Sequence, residues 1–386
     1  MKSIAGGAKV MIIAGEASGD QHGAKVVLAI RNRWPGVSFF GIGGRMLKAA
    51  GVQVFMDASQ MAVVGITEVF SKFPILLKAM RTAKRLLRTL KPDLLILIDF
   101  PDFNLHIAAT AKKLGIPVLY YISPQIWAWR SGRVKKIRAR VDHMAVILPF
   151  EAAFYADHRV PVTFVGHPLL DHSPSVAAPP AVSPSREAIV IGLLPGSRDR
   201  EVVRLFPQML AAVPIIKRSF PKARFVISLS PSVERPLLES LLASHAPGID
   251  FEIEDRGVRK IFKKSTLVVA TSGTVTLEAA IAGIPFVLVY KVSALSYALG
   301  RLLIRVKYAG LANLIAGKEV ATELLQHRAT GRNIAEAVLS MLQNPDELEK
   351  RRDQLLAIGA QLGGPGASNR VADIALSLMA QKRTPA

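Results

Sequence analysis

From Val10 onward, short runs of Val, Ile and Leu alternate with longer segments whose apolar residues recur every three or four positions. That alternation is how a buried parallel sheet with crossover helices appears in a sequence. The runs predict strands at 10–14, 38–41, 94–98, 118–121, 144–148 and 162–165, and, further on, at 189–193, 224–228, 250–253, 267–270 and 286–289. Between the two sets, residues 172–187 are Pro-rich and have no periodicity, which predicts a connection. The expected fold class is therefore α/β, with two doubly wound domains, 1–171 and 188–365, facing a cleft. A helical tail follows, broken by glycines and a proline at 363–366, and its last helix, about 366–386, is expected to pack back on the first domain. No internal repeat is present.

Ligands of open α/β sheets bind beyond the carboxyl ends of the strands, so the strand-end loops are where chemistry is sought. Ser272-Gly273-Thr274-Val275-Thr276-Leu277-Glu278 follows an apolar run and opens a helix. Free amides from Ser272 to Val275 and the positive helix end would suit phosphate oxygens, and Glu278, one turn on, would accept from both hydroxyls of a ribose. An ordinary capped helix, with Ser272 or Thr274 as N-cap, uses the same residues equally well. Asp99 ends the run Leu94–Ile98, where an apolar strand behind it would raise its carboxyl into a useful basic range. Asp102 is a second carboxylate nearby, and either aspartate could instead cap the following helix. Ser197 and Arg198 follow the first strand of the second half; Arg198 is placed to neutralise a departing diphosphate, or to pair with Glu201 one turn on. The Gly15–Gly23 loop lacks the G-x-G-x-x-G spacing and the acidic residue of a nicotinamide site, so no such cofactor is expected. Its Glu16, Ser18, Asp20 and His22 remain candidate acceptor contacts, with His22 and His167 second-rank because a lone histidine is more often a hydrogen-bonded structural residue.

Composition narrows the partners. Half of the 386 residues are hydrophobic and 20% are charged, which describes a folded chain, and the absence of cysteine removes thiolate metal sites and Cys nucleophiles. A net charge of +21 and a pI near 10.4 call for an acidic partner. A mean hydropathy of +0.31 with only 6% aromatics favours anionic lipid over nucleic acid. Between Phe70 and Lys91 there are seven Lys or Arg and no acid. On a helix, Lys78, Arg81, Arg85 and Arg88 share one face and Leu76, Met80, Ala83, Leu87 and Leu90 the other, the pattern of an interfacial helix or of a core helix with a solvated basic side. Phe70 and Phe73 precede it as candidate acyl contacts. Trp127 and Trp129 lead into a second basic stretch beginning at Arg130, which suits a phosphorylated amphiphile or forms an ordinary basic helix. No secretory signal and no membrane span are expected. Metal-ligand spacing and a G-x-S-x-G elbow are both missing from the sequence, so no metal site is expected and a serine hydrolase is unsupported.

Taken together, GEASGD with His22 and Gly23, GIGGRM, VGITEV, DFPDFN, SPQIWAWR, LPFE, FVGHPLLD, LPGSR and SGTVTLE followed by Ile284-Pro285 resemble the lipid-A-disaccharide synthases over Gly15 to about Asn313. Two segments depart from the family pattern: Leu311-Ala312-Asn313, where proline usually precedes the asparagine, and Ala62-Val63-Val64-Gly65. The resemblance implies two Rossmann-like domains of the GT-B type and an inverting, metal-independent transfer with no cofactor. The donor would be UDP-2,3-diacylglucosamine, the acceptor 2,3-diacylglucosamine 1-phosphate, and the products a β(1→6) disaccharide 1-phosphate and UDP. It also implies Asp99 as base, Arg198 at the diphosphate, Glu278 at the ribose and Asn313 near the nucleotide. The chain would then sit in the cytoplasm, peripheral on the anionic inner face of the inner membrane, with no nucleic-acid partner and with a homodimer left open. Another UDP-GlcNAc transferase or a UDP-sugar epimerase is the competing enzyme class, and a non-catalytic polyanion-binding adaptor the competing non-enzyme.

Overall fold

The computed structural model describes residues 7–60, 66–129, 131–172, 189–293, 297, 300 and 306–383. The chain forms two compact units, one from Met1–Pro174 with Leu362–Ala386, the other from Ser175–Gln361. The expected connection at 172–187, apart from His172, and the variant segment at 62–65 lie outside the described residues.

The first unit runs β1 (Lys9–Ala14), α1 (Ala17–Arg33), β2 (Ser38–Gly43), α2 (Arg45–Ala49), β3 (Gln53–Asp57), α3 (Ile66–Leu90), β4 (Leu94–Ile98), α4 (Pro101–Lys113), β5 (Val118–Tyr121), α5 (Ile126–Trp129), α6 (Val134–Arg140), β6 (His143–Val146), α7 (Pro149–Asp157) and β7 (Val162–Phe164). Its strands are parallel in the order β3-β2-β1-β4-β5-β6-β7. The chain winds outward from β1, then returns to start again at β4. Loops leaving β1 and β4 therefore diverge and open a crevice at their carboxyl ends.

The second unit repeats this plan with β8 (Val190–Leu194), α8 (Asp199–Ser219), β9 (Arg224–Ser228), α9 (Arg235–His245), β10 (Glu252–Glu254), α10 (Val258–Lys264), β11 (Leu267–Thr271), α11 (Thr274–Ile281), β12 (Phe286–Tyr290) and β13 (Thr322–Leu325). The order is β10-β9-β8-β11-β12-β13, all parallel, with its own reversal between β8 and β11. Helices cover both faces of each sheet, so the central strands are apolar on both sides; all five residues of β4, LLILI, are fully buried.

Two strands escape the sequence reading. β3, QVFMD, alternates partly buried and exposed residues, and β13, TELL, is short and mixed. Both lie at a sheet edge, where one-sided burial relaxes the demand for an unbroken apolar run.

The helix Ala367–Arg383 belongs to the first unit. Its Val371, Ala372, Ala375 and Met379 complete a core layer with Val26, Val27 and Ile30 of α1, and Arg33 pairs with Asp373 at 2.8 Å. Asp171 anchors its start, accepting from the amides of Gly366 (2.7 Å), Ala367 (2.9 Å) and Ser368 (3.2 Å) and from the Ser368 hydroxyl (2.9 Å). Burial pushes the Asp171 carboxyl up, and these donors together bring it below the usual carboxylate range.

Candidate active site

At the reversal of the first sheet, β4 ends and the chain turns through Asp99 (φ 46°) and Phe100 (φ 48°), two consecutive left-handed residues that are not glycine. Pro101 then starts α4. Each such conformation costs about 1–3 kcal/mol, more readily tolerated by Asp than by Phe. The surroundings hold it in place. The Asp99 amide donates to the Tyr121 carbonyl at 3.1 Å, and its own carbonyl accepts from Asn104 Nδ2 and from the Tyr120 hydroxyl, each at 2.6 Å. Asn104 Nδ2 also reaches the Ile98 carbonyl at 3.2 Å. With every backbone group of Asp99 bonded, only its side chain is left to face the crevice.

Burial pushes the Asp99 carboxyl up to about 6; the negative charge of Glu16 adds to this, and the Phe100 amide opposes it. Glu16 comes close because the loop after β1 packs directly on Phe100: a Cβ on Gly15 would meet the Phe100 ring at 2.4 Å. A side chain at position 15 would thus displace the loop that carries Glu16.

The other first-unit candidates divide. Glu16 and Ser18 are exposed beside Asp99's loop. Asp20 is buried, and its carboxylate accepts from the amides of Gly44 (2.6 Å), Met46 (2.8 Å) and Leu47 (3.2 Å). It caps α2 and fixes the GIGGRM turn, so both its oxygens are used inside the protein. His22 lies near buried His167, which burial and the neighbouring His22 depress to about 4, with Asp171 opposing. Asp102 is exposed in the first turn of α4 and ion-pairs with Arg133. Trp129 is 41% exposed at the end of α5, and Arg130 lies outside the described residues.

The basic segment is helical as expected, but its apolar side is not spare. Ile75, Leu76, Met80, Ala83, Leu86, Leu87 and Leu90 of α3 pack into the core, while Lys78, Arg81, Arg85 and Arg88 face solvent. The face read as interfacial is thus taken up by the sheet. Phe73 (55% exposed) and Leu77 (39%) remain outside; the Phe70 side chain lies outside what is described. No helix among the described residues is long and apolar enough to cross a membrane.

At the reversal of the second sheet the loops after β8 and β11 meet. Gly196 has φ 119°, and a Cβ there would lie 2.8 Å from Glu201 Oε2 and 3.2 Å from the Thr271 hydroxyl, so the two loops touch at a position only glycine fits. The Ser197 carbonyl accepts from the Ser232 hydroxyl at 2.7 Å. Arg198 is exposed and pairs with Glu201 at 2.9 Å, the surface pairing its spacing also allowed. Gly273, without a side-chain cap, precedes α11. One sequence expectation needs correction: the Ser272 amide is not free, since β11 continues its ladder by donating it to Val289 at 3.2 Å. Thr274 and Val275 thus provide the first-turn amides of α11. Glu278 is raised by burial, with Arg259 of α10 opposing.

Asn313 is 1% exposed and fully engaged within the protein. Its Oδ1 accepts from Val320 and Ala321, and its Nδ2 donates to the Ala321 carbonyl and to Glu323. Glu323 in turn accepts from the amides of Ala309 and Gly310, both at 2.9 Å. Asn313 thus builds the loop and has no side-chain atom left for a nucleotide.

Sequence reasoning reached Asn104 only as a residue that stiffens the turn, and it passed over three others. Tyr120, inside the strand read at 118–121, holds Asp99 together with Asn104. Arg259 faces Glu278. Glu151, 1% exposed, accepts from Trp127 Nε1 at 3.0 Å and from the Leu148 amide at 3.0 Å, and burial raises it to about 7 against those donors. The polar residues within otherwise apolar strand-end motifs were the available signal. Among the described residues no three His, Cys, Asp or Glu are grouped so as to hold a metal ion.

Residues 10–376 match the family model described as lipid-A-disaccharide synthetase. The chain is 46% identical to the lipid-A-disaccharide synthase of Geobacter metallireducens over 97% of its own length and 98% of that protein. It is 45% identical to the one of Syntrophus aciditrophicus over 96% and 97%. Among solved structures, a putative UDP-N-acetylglucosamine 2-epimerase from Listeria monocytogenes superposes with a TM-score of 0.62 at 16% identity, covering 98% of each chain. Acinetobacter baumannii MurG gives 0.60 at 15%, covering 96% of this chain and all of that one. These remote likenesses speak to the fold, the two-domain GT-B plan, while the close relatives speak to the chemistry. The chain belongs to the lipid-A-disaccharide synthase family and is a disaccharide-forming glycosyltransferase.

Proposed function

We propose that Asp99 is the general base of an inverting transfer. It takes the proton of the primary hydroxyl of 2,3-diacylglucosamine 1-phosphate as that oxygen attacks the anomeric carbon of UDP-2,3-diacylglucosamine. The C–O bond to UDP breaks as the new β(1→6) bond forms, and the electron pair leaves on the diphosphate. The observation that carries this reading is a half-buried carboxylate at a sheet reversal with its pKa near 6. At neutral pH such a group is ionised, yet it is more basic than a surface aspartate.

Donor binding falls to the second unit. The amides of Thr274 and Val275 and the positive end of α11 receive the diphosphate, with Ser272 and Gly273 shaping the approach. Arg198 exchanges Glu201 for the leaving group, and Ser197 belongs to the same loop. Glu278 accepts the ribose hydroxyls, and Asn313 acts indirectly by building the neighbouring loop. Glu16, Ser18, His22, Asp102, Trp129 and Arg130 form the acceptor side, with Asp20 holding its floor. Phe70, Phe73 and Leu77 rest on the anionic inner face of the inner membrane with Lys78, Arg81, Arg85 and Arg88, a reading supported by the exposed Phe73 and Leu77 side chains beside a one-signed basic face.

The test is a product assay with purified protein, radiolabelled acylated UDP-sugar and acylated sugar 1-phosphate. The reading expects labelled disaccharide and UDP, lost on replacing Asp99. Product formation undiminished by Asp99→Asn would remove this residue from the mechanism.

A further inference from the structure

We infer that Tyr120 and Asn104 are positioning residues for transfer, acting together through the Asp99 carbonyl to aim the Asp99 carboxylate. The inference rests on the reading of Asp99 as the base.

The geometry is specific to this carbonyl. A backbone oxygen has two lone pairs, and here both are taken by side chains from different elements, Tyr120 of β5 and Asn104 of α4, each at 2.6 Å. Both side chains are fully buried. Asn104 spans the turn, reaching the Ile98 and Asp99 carbonyls, the last of β4 and the first beyond it. Secondary structure does not need these bonds: the β4 ladder to β5 ends at Ile98 opposite Tyr121, and α4 starts with Pro101, which needs no amide partner. What they fix is the left-handed pair Asp99-Phe100, from which the side-chain direction of Asp99 follows. A relaxed turn at Asp99 would swing its carboxylate away from the direction this backbone dictates, because Cβ moves with φ. Phe100 adds a second constraint, its ring held against Gly15 and 5.4 Å from that of Phe103.

Tyr120→Phe removes one of the two donors and keeps the ring in the core. It is expected to lower kcat about three- to tenfold, the worth of one buried hydrogen bond, while the KM values for donor and acceptor stay within about twofold. Asn104→Leu, which removes both of its bonds, is expected to lower kcat further, with urea melting confirming that it folds. The decisive measurement is a double-mutant cycle on the residual rate. If Tyr120 acts through Asp99, adding Tyr120→Phe to Asp99→Asn changes nothing more. The inference is overturned if Tyr120→Phe keeps full kcat while Asp99→Asn is inactive, or if it slows Asp99→Asn by the same factor as the parent. An Asp99→Asn variant at near-parental rate would instead overturn the base assignment, and this inference with it.

Discussion

Replacing Asp99 by Asn separates the cost of a buried base from its use. Asn is nearly isosteric and tolerates the left-handed backbone that Asp99 adopts (φ 46°), so the turn and its clamp should persist. In the parent, the folded state holds this carboxyl at about 6, largely through burial and then through Glu16, well above its unfolded value. A carboxyl raised by folding favours the native state while it is protonated, at low pH, and that contribution is lost as pH rises through about 6. Above both values the folded state is penalised by about 3 kcal/mol, and at pH 5 by about half as much. Asn escapes the penalty. The variant should therefore melt several degrees higher than the parent at pH 8, at roughly 2–4 °C per kcal/mol for a unit of this size, with the gain about halved at pH 5. Its kcat should fall by at least about 100-fold, the usual contribution of a general base. Calorimetry at the two pH values and the disaccharide assay make both measurements. A gain independent of pH would refute the buried-carboxylate argument, and a variant that is more stable yet still active would refute the catalytic one.

In the parent enzyme, kcat/KM should decline tenfold per pH unit below about 6, following protonation of Asp99; a flat acid limb would assign the proton elsewhere. Asp171→Ala removes the cap of the terminal helix and should cost about 1–2 kcal/mol at pH 7, read by urea melting. Because Asp171 is held below the usual carboxylate range, the difference from the parent should shrink as pH falls through its folded value; an undiminished difference would argue against the cap. Phe73→Ser combined with Leu77→Ser should weaken flotation with anionic vesicles without changing Tm, since both side chains face out, and unchanged flotation would dismiss this patch as a membrane contact. Transfer should also persist in excess EDTA, and strict dependence on an added divalent cation would contradict leaving-group stabilisation by amides and Arg198.

The central strands could be read from sequence because they are buried on both faces, and a run such as Leu94–Ile98 has no other plausible fate. β3 and β13 could not, since an edge strand needs only partial apolarity. The loops that bear chemistry were also visible, because Gly15, Asp99, Gly196 and Ser272 all stand where an apolar run stops. What stayed hidden was the use of each polar side chain. Asp20 and Asn313 look like ligand contacts in a linear motif, yet their partners are backbone amides 24 and 7 residues away, and only folding reveals that those bonds leave nothing for a ligand. The apolar stripe of α3 allowed two readings for a related reason: periodicity reports that a face is buried and does not say whether lipid or the protein core buries it.

Because residues from Leu362 onward complete the unit that residue 1 begins, the second unit is in effect an insertion within the first. A ribosome will have produced all of the inserted unit before it supplies the helix that covers Val26, Val27 and Ile30 of α1. The unit synthesised first is therefore completed only after the second, and until that helix emerges it carries an uncovered greasy strip. A stop codon before Ala367 would make that exposure permanent, leaving the strip for chaperones and proteases to find.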